Sequence, residues 1–378
     1  EIFGGGSKML LRLLRHLDEE QFDPVLLTNE RDELCKRAQE CGVKVHVEPF
    51  RGALDTYNRG LLSDARLLVP SAVRILQFNW AVRSQLTDAD VIWCKNLRAV
   101  LTLLPFLSIS RTPVVWNIGL GLESEGKVTY LNSIALRAAD HVFIESKEQA
   151  QRIFTDAQYN AYQHKFTVFH KGIDTAEFDP TRFDSPSGRQ FRIGTAASFT
   201  PRKGLEYLID AFASIHQEVD GAALWIAGEA PNGKEAYEKE LKQRVSQHEL
   251  EDQVRFLGWV EDIPRFLSQL DLFVLPSLNE GIPGVVREAL AMEIPTIATD
   301  VGGTSDVIVD GENGMLVDPE SPEDITRSVL SLWNSPEMRR EMGKRGRETI
   351  KEEFSVTKYV RDYEDFLNGI DRRNRNTA

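Results

Sequence analysis

Cysteine and histidine are scarce in this sequence, and neither residue type clusters. The 378 residues include three cysteines and seven histidines. Cys35 and Cys41 are six positions apart, Cys94 is distant from both, and no pair has metal-ligand spacing. The histidines form no HExxH or similar motif. We therefore expect no metal site and no disulfide framework, and reduced cysteines favour a cytosolic compartment.

Long apolar runs and an excess of positive charge are also lacking. No run approaches the roughly 18 consecutive apolar residues that a membrane-spanning helix needs. The formal net charge is −13, and residues 186–378 hold 23 Lys and Arg against 34 Asp and Glu. A nucleic-acid partner would require a basic footprint, so this balance argues against one. The acidity itself is explained by solubility.

What the sequence does contain is a regular alternation of strand-like and helix-like segments. This pattern predicts parallel, doubly wound α/β sheets. Proline and glycine break the pattern over residues 170–190, which we interpret as a linker. We predict a first Rossmann-like domain over residues 1–180, a second over 186–355, and a C-terminal helix over 356–378 that returns to the first. The predicted strands are 24–28, 43–47, 90–94, 113–117 and 141–145, then 191–197, 222–227, 254–257, 271–275, 295–298 and 314–317.

A glycine run lies at the start of the chain. Gly4-Gly5-Gly6-Ser7-Lys8 is a candidate phosphate-binding loop, although it does not satisfy the GxxxxGK[ST] motif. A simple chain turn explains the run equally well. A loop of this kind normally follows a strand. We therefore expect that the first strand of the domain is missing from this sequence.

Two glutamates flank a predicted strand–loop–helix transition in the second half. Asp271–Leu275 is an apolar strand, Gly281–Gly284 breaks it, and Val285–Met292 has helical periodicity. Glu280 precedes the turn and Glu288 lies in the helix. Ligands of open α/β sheets bind at such strand ends, and the helix N-terminus favours a phosphate. The alternative is that either glutamate is solvated or offsets the helix dipole.

A pair of cations occupies the equivalent position after the first strand of the second domain. Arg202 and Lys203 precede Gly204, at the start of an amphipathic helix. Two adjacent cations beside a helix N-terminus suit a diphosphate. In isolation the pair is better explained as a solvated loop pair.

Together these segments resemble the retaining glycosyltransferases of family 4, which have the GT-B fold of two Rossmann-like domains facing each other across a cleft. The resemblance covers nearly the whole chain and is densest in the second half. The Glu-x7-Glu motif of the family matches Glu280 and Glu288. The other matching segments are Gly281-Ile282-Pro283, Lys203-Gly204, Val254-Arg255-Phe256-Leu257-Gly258, Lys171-Gly172-Ile173-Asp174 with Phe178, Asp300-Val301-Gly302-Gly303 and Asp310-Gly311-Glu312-Asn313-Gly314.

The resemblance implies roles for these residues. Glu288 would bind the ribose hydroxyls of a nucleotide, and Glu280 would lie near the donor sugar. Arg202 and Lys203 would balance the charge of the diphosphate. Further contacts to the donor would come from main-chain groups, namely those of Gly281, Ile282, Pro283, Gly284 and Val285, of Gly5 and Gly6, and of Val260 near the base.

The chain also departs from the family pattern. Glu293 stands where many members have glycine, Ser198 where many have arginine, and Lys171 where an asparagine is usual. On the acceptor side, Lys95-Asn96 and Asn117-Ile118-Gly119 stand where histidines are common. Lys95, Asn96 and Asn117 are therefore the acceptor-side candidates.

The function that the resemblance implies is a retaining transfer of a sugar from a nucleotide diphosphate to a hydroxyl of a glycan, a lipid-linked or a small acceptor, with no cofactor and no metal. Two alternatives stay open. One is a GT-B sugar-nucleotide epimerase, which would need acid–base groups facing the sugar from both domains. The other is an inactive member that binds a nucleotide-sugar or a protein partner.

Basic and apolar residues are interleaved over residues 8–15 and 51–83, in the predicted first domain. Such a face can bind anionic lipid as a peripheral contact. Alternatively, the leucines pack in the core and the arginines are solvated. We therefore expect a cytoplasmic protein, either free or at the inner face of the membrane. The arginines of the second segment are Arg51, Arg59, Arg66, Arg74 and Arg83.

Overall fold

The computed structural model describes residues 5–50, 65–118, 127–184, 190–231, 233 and 235–375. The chain divides into two compact units. Unit 1 comprises Glu1–Lys171 with Tyr359–Ala378, and unit 2 comprises Gly172–Lys358. In the described residues, the strands of each sheet pair in parallel.

Unit 1 begins with two helices and a pair of strands. Asp32 caps its second helix by accepting a hydrogen bond from the amide of Cys35. Leu10, Leu11 and Ala38 bury the inner faces of the two helices against each other. The elements are α1 (Gly5–His16), β1 (Val25–Thr28), α2 (Glu33–Glu40) and β2 (Lys44–Val47).

A four-stranded sheet forms the centre of unit 1, in the order β3-β4-β5-β6. Trp116 and Phe154 are fully buried in its core. The last strand, at the edge of the sheet, was not predicted, because its three residues are too few for their apolar–polar alternation to be recognised. The elements are α3 (Ala65–Thr87), β3 (Ile92–Cys94), α4 (Leu97–Leu107), β4 (Val114–Asn117), α5 (Lys127–Ala138), β5 (His141–Ile144), α6 (Lys147–Ile153), α7 (Asp156–Tyr162) and β6 (Phe166–Val168).

Unit 2 is built on a six-stranded sheet in the order β12-β11-β10-β7-β8-β9. All six strands predicted in this half are present, with ends that differ by at most one residue. The elements are β7 (Phe191–Ala196), α8 (Leu205–Glu218), β8 (Ala222–Ala227), α9 (Glu235–Gln247), β9 (Val254–Gly258), α10 (Ile263–Leu267), β10 (Leu272–Leu275), α11 (Gly284–Ala291), β11 (Thr296–Thr299), β12 (Met315–Val317), α12 (Pro322–Asn334) and α13 (Pro336–Glu353).

From Gly172 onward, the segment predicted as a linker over residues 170–190 is packed in unit 2 as far as it is described. Ile173 and Phe178 are buried in the core of that unit. The buried guanidinium of Arg347 donates to the carbonyl of Phe178 at 2.7 Å. Because hydrogen bonds and apolar contacts anchor the segment, its glycines and prolines do not indicate a free linker here. Residues 185–189 lie outside the described residues.

The final helix, α14 (Val356–Arg375), carries the chain from unit 2 back into unit 1. Its Tyr363 and Phe366 pack edge-on against Phe143 of β5. Burial raises the pKa of Tyr363 well above its usual range, so this side chain stays neutral. The aromatic contacts therefore make the middle of α14 part of the core of unit 1.

Candidate functional site

The strand order of unit 2 reverses between β7 and β10. From β7 the chain moves outward to β8 and β9, and from β10 it moves the other way to β11 and β12. The carboxyl end of such a switch point is where open α/β sheets bind ligands. The loops that leave β7 and β10 carry Arg202, Lys203 and Glu280.

These two loops are hydrogen-bonded to each other. The amide of Leu278 donates to the carbonyl of Arg202 at 2.8 Å, and an Nη of Arg202 donates to the carbonyl of Asn279 at 2.7 Å. The two bonds hold residues that are far apart in the chain in one fixed arrangement. The Arg202-Lys203 step is thus attached to the Glu280 loop by main chain as well as by side chain.

Charged groups of the two loops meet at the carboxylate of Glu280. Lys203 Nζ lies 2.5 Å from Oε1, and an Nη of Arg202 lies 3.5 Å from Oε2. The side chain of Lys203 is 13% exposed and that of Glu280 is 9% exposed, whereas that of Arg202 is 50% exposed. Two charges so far removed from water are mutually dependent, because each compensates the desolvation of the other.

Two hydroxyl side chains, not identified from the sequence, form a chain of hydrogen bonds that ends at the carboxylate of Glu280. Ser277 Oγ donates to Glu280 Oε1 at 2.6 Å, and Thr299 Oγ1 donates to the carbonyl of Ser277 at 2.5 Å. Both side chains are buried. For Ser277, the available signal was a polar residue just after the wholly apolar strand β10. Thr299 ends β11, which begins with a threonine as well, so it carried no such signal.

Two glycines allow the loops to approach this closely. Gly204 has φ +59°, and a Cβ there would lie 2.2 Å from the carbonyl oxygen of Pro276. Gly302 has φ +57°, and its Cβ would lie 2.0 Å from the carbonyl oxygen of Glu280. Any other residue would be strained at both positions and would also displace the neighbouring loop. The backbone of Glu280 is therefore packed against the loop after β11.

The first turn of α11 follows the Glu280 loop. The resemblance implied main-chain contacts to the donor from five residues here. Two of them, Gly284 and Val285, begin the helix, and the other three, Gly281, Ile282 and Pro283, precede it. Ile282 is buried in the core of unit 2, so only its main chain is available. Pro283 is the N-cap and has no side-chain hydrogen bond to the helix. Glu288 is half-buried, one turn into the helix rather than in its first turn.

The ends of β8 and β9 continue the same edge of the sheet. The amide of Gly228 donates to the carbonyl of Gly258 at 2.8 Å, and that of Phe199 donates to the carbonyl of Glu229 at 2.9 Å. Val260 packs against the core of unit 2 with its side chain. A ligand at this end of the edge would therefore meet the main chain of Val260 rather than its side chain.

Tyr237 of α9 is hydrogen-bonded to the start of α8, two residues after Lys203 in the chain. Its hydroxyl accepts the amide hydrogen of Leu205 at 3.1 Å and donates to the carboxylate of Glu206. Burial, with Glu206 as the second cause, raises the pKa of Tyr237 far above its usual range, so the hydroxyl keeps its proton. This residue was not identified from the sequence, because nothing local distinguishes it from any other tyrosine on an amphipathic helix.

In unit 1, the predicted residues lie at the carboxyl ends of neighbouring strands. Lys95 follows β3 and Asn117 ends β4, and these strands pair in register. Lys95 Nζ donates to Ser7 Oγ at 2.9 Å. Asn96 caps α4 by accepting from the amide of Ala99 at 2.9 Å, which is a structural role.

Other predictions for unit 1 are only partly described. Gly5 and Gly6 form the first turn of α1 rather than a loop before it. Gly4 and Gly119 lie outside the described residues, as do Arg51 and Arg59 of the basic segment.

A further ion pair of unit 1 was missed. Lys171, at the position where the family has asparagine, pairs with Glu145, which follows β5. Both side chains are largely buried. The carboxyl edge of this sheet therefore carries Lys95, Asn117 and Glu145 on three successive strands.

Ser198 and Glu293 are the two other positions at which the chain departs from the family pattern. Ser198 is exposed in the loop that contains Arg202 and Lys203. Glu293 has φ +59°, the left-handed conformation that favours glycine, directly after the C-cap of α11. The glycine common in the family would relieve this strain.

Among the described residues, no group of three or more His, Cys, Asp or Glu side chains could hold a metal ion. In the same part of the chain, no helix has the length and the apolar character that crossing a membrane requires.

Residues 178–349 match the family model described as Glycosyl transferases group 1. The chain is 32% identical over 180 residues to N-acetyl-alpha-D-glucosaminyl L-malate synthase of Bacillus anthracis, covering 48% of this chain and 46% of that protein. It is 29% identical over 220 residues to the GDP-mannose-dependent alpha-(1-6)-phosphatidylinositol monomannoside mannosyltransferase of Mycobacterium tuberculosis, covering 53% and 55%. The matches thus span about half the length of these curated relatives.

The solved structure of Anabaena Alr3699/HepE in complex with UDP superimposes with a TM-score of 0.79. It shares 18% sequence identity, and the match covers 97% of each chain. This likeness concerns the fold. The predicted fold class is confirmed, because the chain has two Rossmann-like α/β units with parallel sheets and its structural neighbours have the GT-B fold.

Proposed function

We propose that this protein is a retaining glycosyltransferase of family 4 that uses a nucleotide-diphosphate sugar as donor. The observation that carries the proposal is the cluster of Arg202, Lys203 and Glu280 at the switch point of unit 2, beside the N-terminus of α11. Fixed cations and a helix N-terminus at one edge of a sheet suit a diphosphate and few other ligands.

The names of the relatives support the donor class. The mycobacterial mannosyltransferase depends on GDP-mannose, and the Anabaena structure contains UDP. Both ligands are nucleoside diphosphates or carry one. The match to the group 1 glycosyltransferase model lies over the part of the chain that holds Lys203, Glu280 and Glu288.

Departure of the diphosphate is the step for which the site is suited. Breaking the bond between sugar and phosphate builds negative charge on the leaving group and positive character at the anomeric carbon. Lys203 and Arg202 would stabilise that negative charge, and a preorganised group of this kind is worth about 3 kcal/mol. Glu280 accepts from the ammonium of Lys203, and Ser277 donates to the same carboxylate oxygen. We therefore propose a reaction that needs no metal and no other cofactor.

Retention would follow from attack of the acceptor hydroxyl on the face that the diphosphate leaves, with no covalent enzyme intermediate. Glu288 would bind the ribose, and the main chain of Gly281–Val285 and of Val260 would contact sugar and base. Gly5 and Gly6 stay predicted contacts to the phosphates. Lys95, Asn96 and Asn117 are the proposed acceptor-side groups, for a glycan, lipid-linked or small hydroxyl acceptor, in the cytoplasm or at the inner face of the membrane.

A thermal-shift screen of UDP- and GDP-sugars tests donor binding. A donor present at 100 times its dissociation constant should stabilise the protein by about 2.7 kcal/mol. Glu288→Ala should abolish the shift for that donor, because the ribose loses its carboxylate partner. Glu240→Ala, an exposed glutamate on α9, is the matched control and should keep the shift. An unchanged shift in Glu288→Ala would show that Glu288 does not bind the donor.

Turnover separates the transferase from its two alternatives. We expect release of nucleoside diphosphate that requires an acceptor, persists in EDTA, and yields a product whose anomeric proton coupling matches the donor. An epimerised sugar or acceptor-independent hydrolysis would identify the epimerase class. A donor that binds with no turnover for any acceptor would identify an inactive binding protein.

A further inference from the structure

Arg347 of α13 places a guanidinium in the interior of unit 2, outside the cluster of Arg202, Lys203 and Glu280. The residue is 7% exposed. A cation removed from water is costly unless hydrogen bonds and opposite charges compensate for the lost hydration. The groups that supply this compensation are therefore held in fixed positions around the guanidinium.

One of these groups is the C-terminal end of α11. An Nη of Arg347 donates to the carbonyl of Ala291, the last residue of that helix. The last carbonyls of a helix have no partner within it, and a cation beside them also offsets the helix dipole. Nε of Arg347 lies 3.7 Å from Oε1 of Glu293, two residues beyond the helix. The guanidinium thus closes the end of α11 by hydrogen bond and by charge.

The same guanidinium binds a segment that is distant in the chain. The Nη that donates to Ala291 also donates to the carbonyl of Phe178 at 2.7 Å, and the other Nη donates to Asp179 Oδ1 at 3.3 Å. The side chain of Phe178 is buried in the core of unit 2. Arg347 therefore ties the end of α11 to a segment that the core anchors.

Two glycines of α13 bring this helix directly against the end of α11. A Cβ on Gly343 would lie 2.1 Å from the carbonyl oxygen of Glu293, and one on Gly346 would lie 2.7 Å from a methyl carbon of Leu290. Their spacing of three and four residues places Gly343, Gly346 and Arg347 on one face of α13. The end of α11 consequently cannot move toward α13 without steric overlap.

The other end of α11 faces the candidate site. The helix has eight residues, so its two ends are only about 12 Å apart. Gly284 begins the helix after the Glu280 loop, and Glu288 lies one turn further along. A hydrogen-bonded helix of two turns moves as one body, so a displacement at Ala291 also displaces Glu288. A misplacement of about 1 Å far from the reacting atoms costs a reaction about 100-fold.

We propose that Arg347 is a positioning residue for the donor site. By closing the C-terminal end of α11, it sets where the first turn of the helix and the carboxylate of Glu288 stand. This role rests on the proposed function, because it takes Glu288 and the first turn of α11 as donor contacts. An arginine with a purely structural role would contribute to the stability of unit 2 and leave the donor affinity of the folded protein unchanged.

Arg347→Met tests the proposal, because methionine fills much of the same space and donates no hydrogen bond. Leu332→Ala is the control for lost stability. Leu332 of α12 is fully buried in unit 2, in a core cluster whose described residues include none from α11. Urea unfolding gives the stability of each variant, calorimetry gives the dissociation constants for UDP and GDP, and amide hydrogen exchange of Glu288 reports on α11 without a ligand.

Both variants should be less stable than wild type. Arg347→Met alone should weaken binding of the preferred nucleotide at least about tenfold and accelerate exchange at Glu288 at least about tenfold more than Leu332→Ala does. Arg347→Lys should lie between wild type and Arg347→Met, because lysine keeps the charge but not the fork of donors. The KM for the donor should rise in the same order.

Two results would overturn the positioning role. One is a dissociation constant in Arg347→Met within about twofold of that in Leu332→Ala, and the other is equal exchange at Glu288 in these two variants. Failure of the proposed function looks different, because wild-type protein would then bind neither UDP nor GDP. Exchange at Glu288 would in that case still decide whether Arg347 fixes α11.

Discussion

The carboxylate of Glu280 is held by groups from three loops or strand ends of unit 2. Lys203 comes from the loop after β7, Ser277 follows β10, and Thr299 at the end of β11 fixes the main chain of Ser277. Because Lys203 and Glu280 are both nearly buried, the pair has little freedom to move apart. At the scale of single residues, the site is therefore a rigid charge arrangement rather than a set of mobile surface groups.

Substitution of Glu280 tests this rigidity. Glu280→Ala should lower the free energy of unfolding by about 3 kcal/mol, because Lys203 keeps a largely buried charge without its partner. Glu280→Gln should cost less, because it retains an acceptor for Ser277 and Lys203. Urea unfolding measures both, with the exposed Glu240→Ala as control. If Glu280→Ala is as stable as the control, the ion pair contributes nothing to the fold.

Asp271, just before β10, provides a test by pH. It accepts the amide hydrogen of Arg192 at 2.8 Å, and burial raises its pKa above the ordinary range. A raised pKa means that the folded state binds the proton more tightly than the unfolded state. The contribution of Asp271 to stability is therefore complete below its unfolded pKa and is lost as pH rises through its folded pKa.

Asp271→Asn should consequently gain stability relative to wild type as the pH rises above about 4, the ordinary pKa of an aspartate, because the asparagine has no charge to desolvate. The amide oxygen can still accept from Arg192. Thermal melts of both proteins at increasing pH measure the difference. A difference that stays constant or shrinks with rising pH would contradict the assignment of the shift to Asp271.

At the scale of elements, the start of α8 positions the cations. A 3₁₀ turn, Pro201–Lys203, leads into Gly204, whose left-handed conformation begins the helix. The helix has no side-chain cap of its own at Gly204, and Tyr237 from α9 accepts the amide hydrogen of Leu205 instead. The position of Lys203 therefore depends on the packing of a second helix.

Tyr237→Phe should lower the free energy of unfolding by about 1–3 kcal/mol, because the buried amide of Leu205 loses its acceptor. Tyr207→Phe is the matched control, since Tyr207 lies on α8 and donates to Glu320 in a more exposed contact of 3.2 Å. Its loss should cost much less. Urea unfolding measures both variants. Equal losses of unfolding free energy would show that the hydrogen bond between Tyr237 and the amide of Leu205 stabilises the fold no more than the exposed contact of Tyr207.

At the scale of the whole molecule, each unit buries its own core. The core of unit 2 surrounds its six-stranded sheet, and that of unit 1 surrounds β3 to β6. Cys94 ends β3 and is 1% exposed, and burial raises the pKa of its thiol to about 12. Cys41, at the end of α2, is only partly buried.

Cys94 should therefore report the opening of unit 1. A disulfide reagent at mildly alkaline pH should label Cys41 promptly and Cys94 only as fast as the unit unfolds, because the buried thiol is both protonated and inaccessible. Comparison of Cys41→Ser with Cys94→Ser separates the two rates. Labelling of Cys94 as rapid as that of Cys41 in native buffer would contradict the burial of β3.

The sequence by itself determined where most strands lie and which types of residue, acidic and basic, form the candidate site. Continuous apolar runs located β8 and β10, since a parallel strand buried on both faces is largely apolar. Shorter apolar segments between turn signals located β7, β9, β11 and β12. The strand–turn–helix transition around Glu280 was recognisable for the same reason. The short edge strand β6 and the capping role of Asn96 were not predicted, because their signals are local and ambiguous.

Only the tertiary structure decided which residues meet. Lys203 and Glu280 are 77 positions apart, and they touch because β7 and β10 are neighbours in the sheet. Strand order is set by how the crossover helices pack, so the periodicity of a segment carries no information about its neighbour. The same holds for Ser277, Tyr237 and Arg347, whose surroundings come from segments distant in the chain.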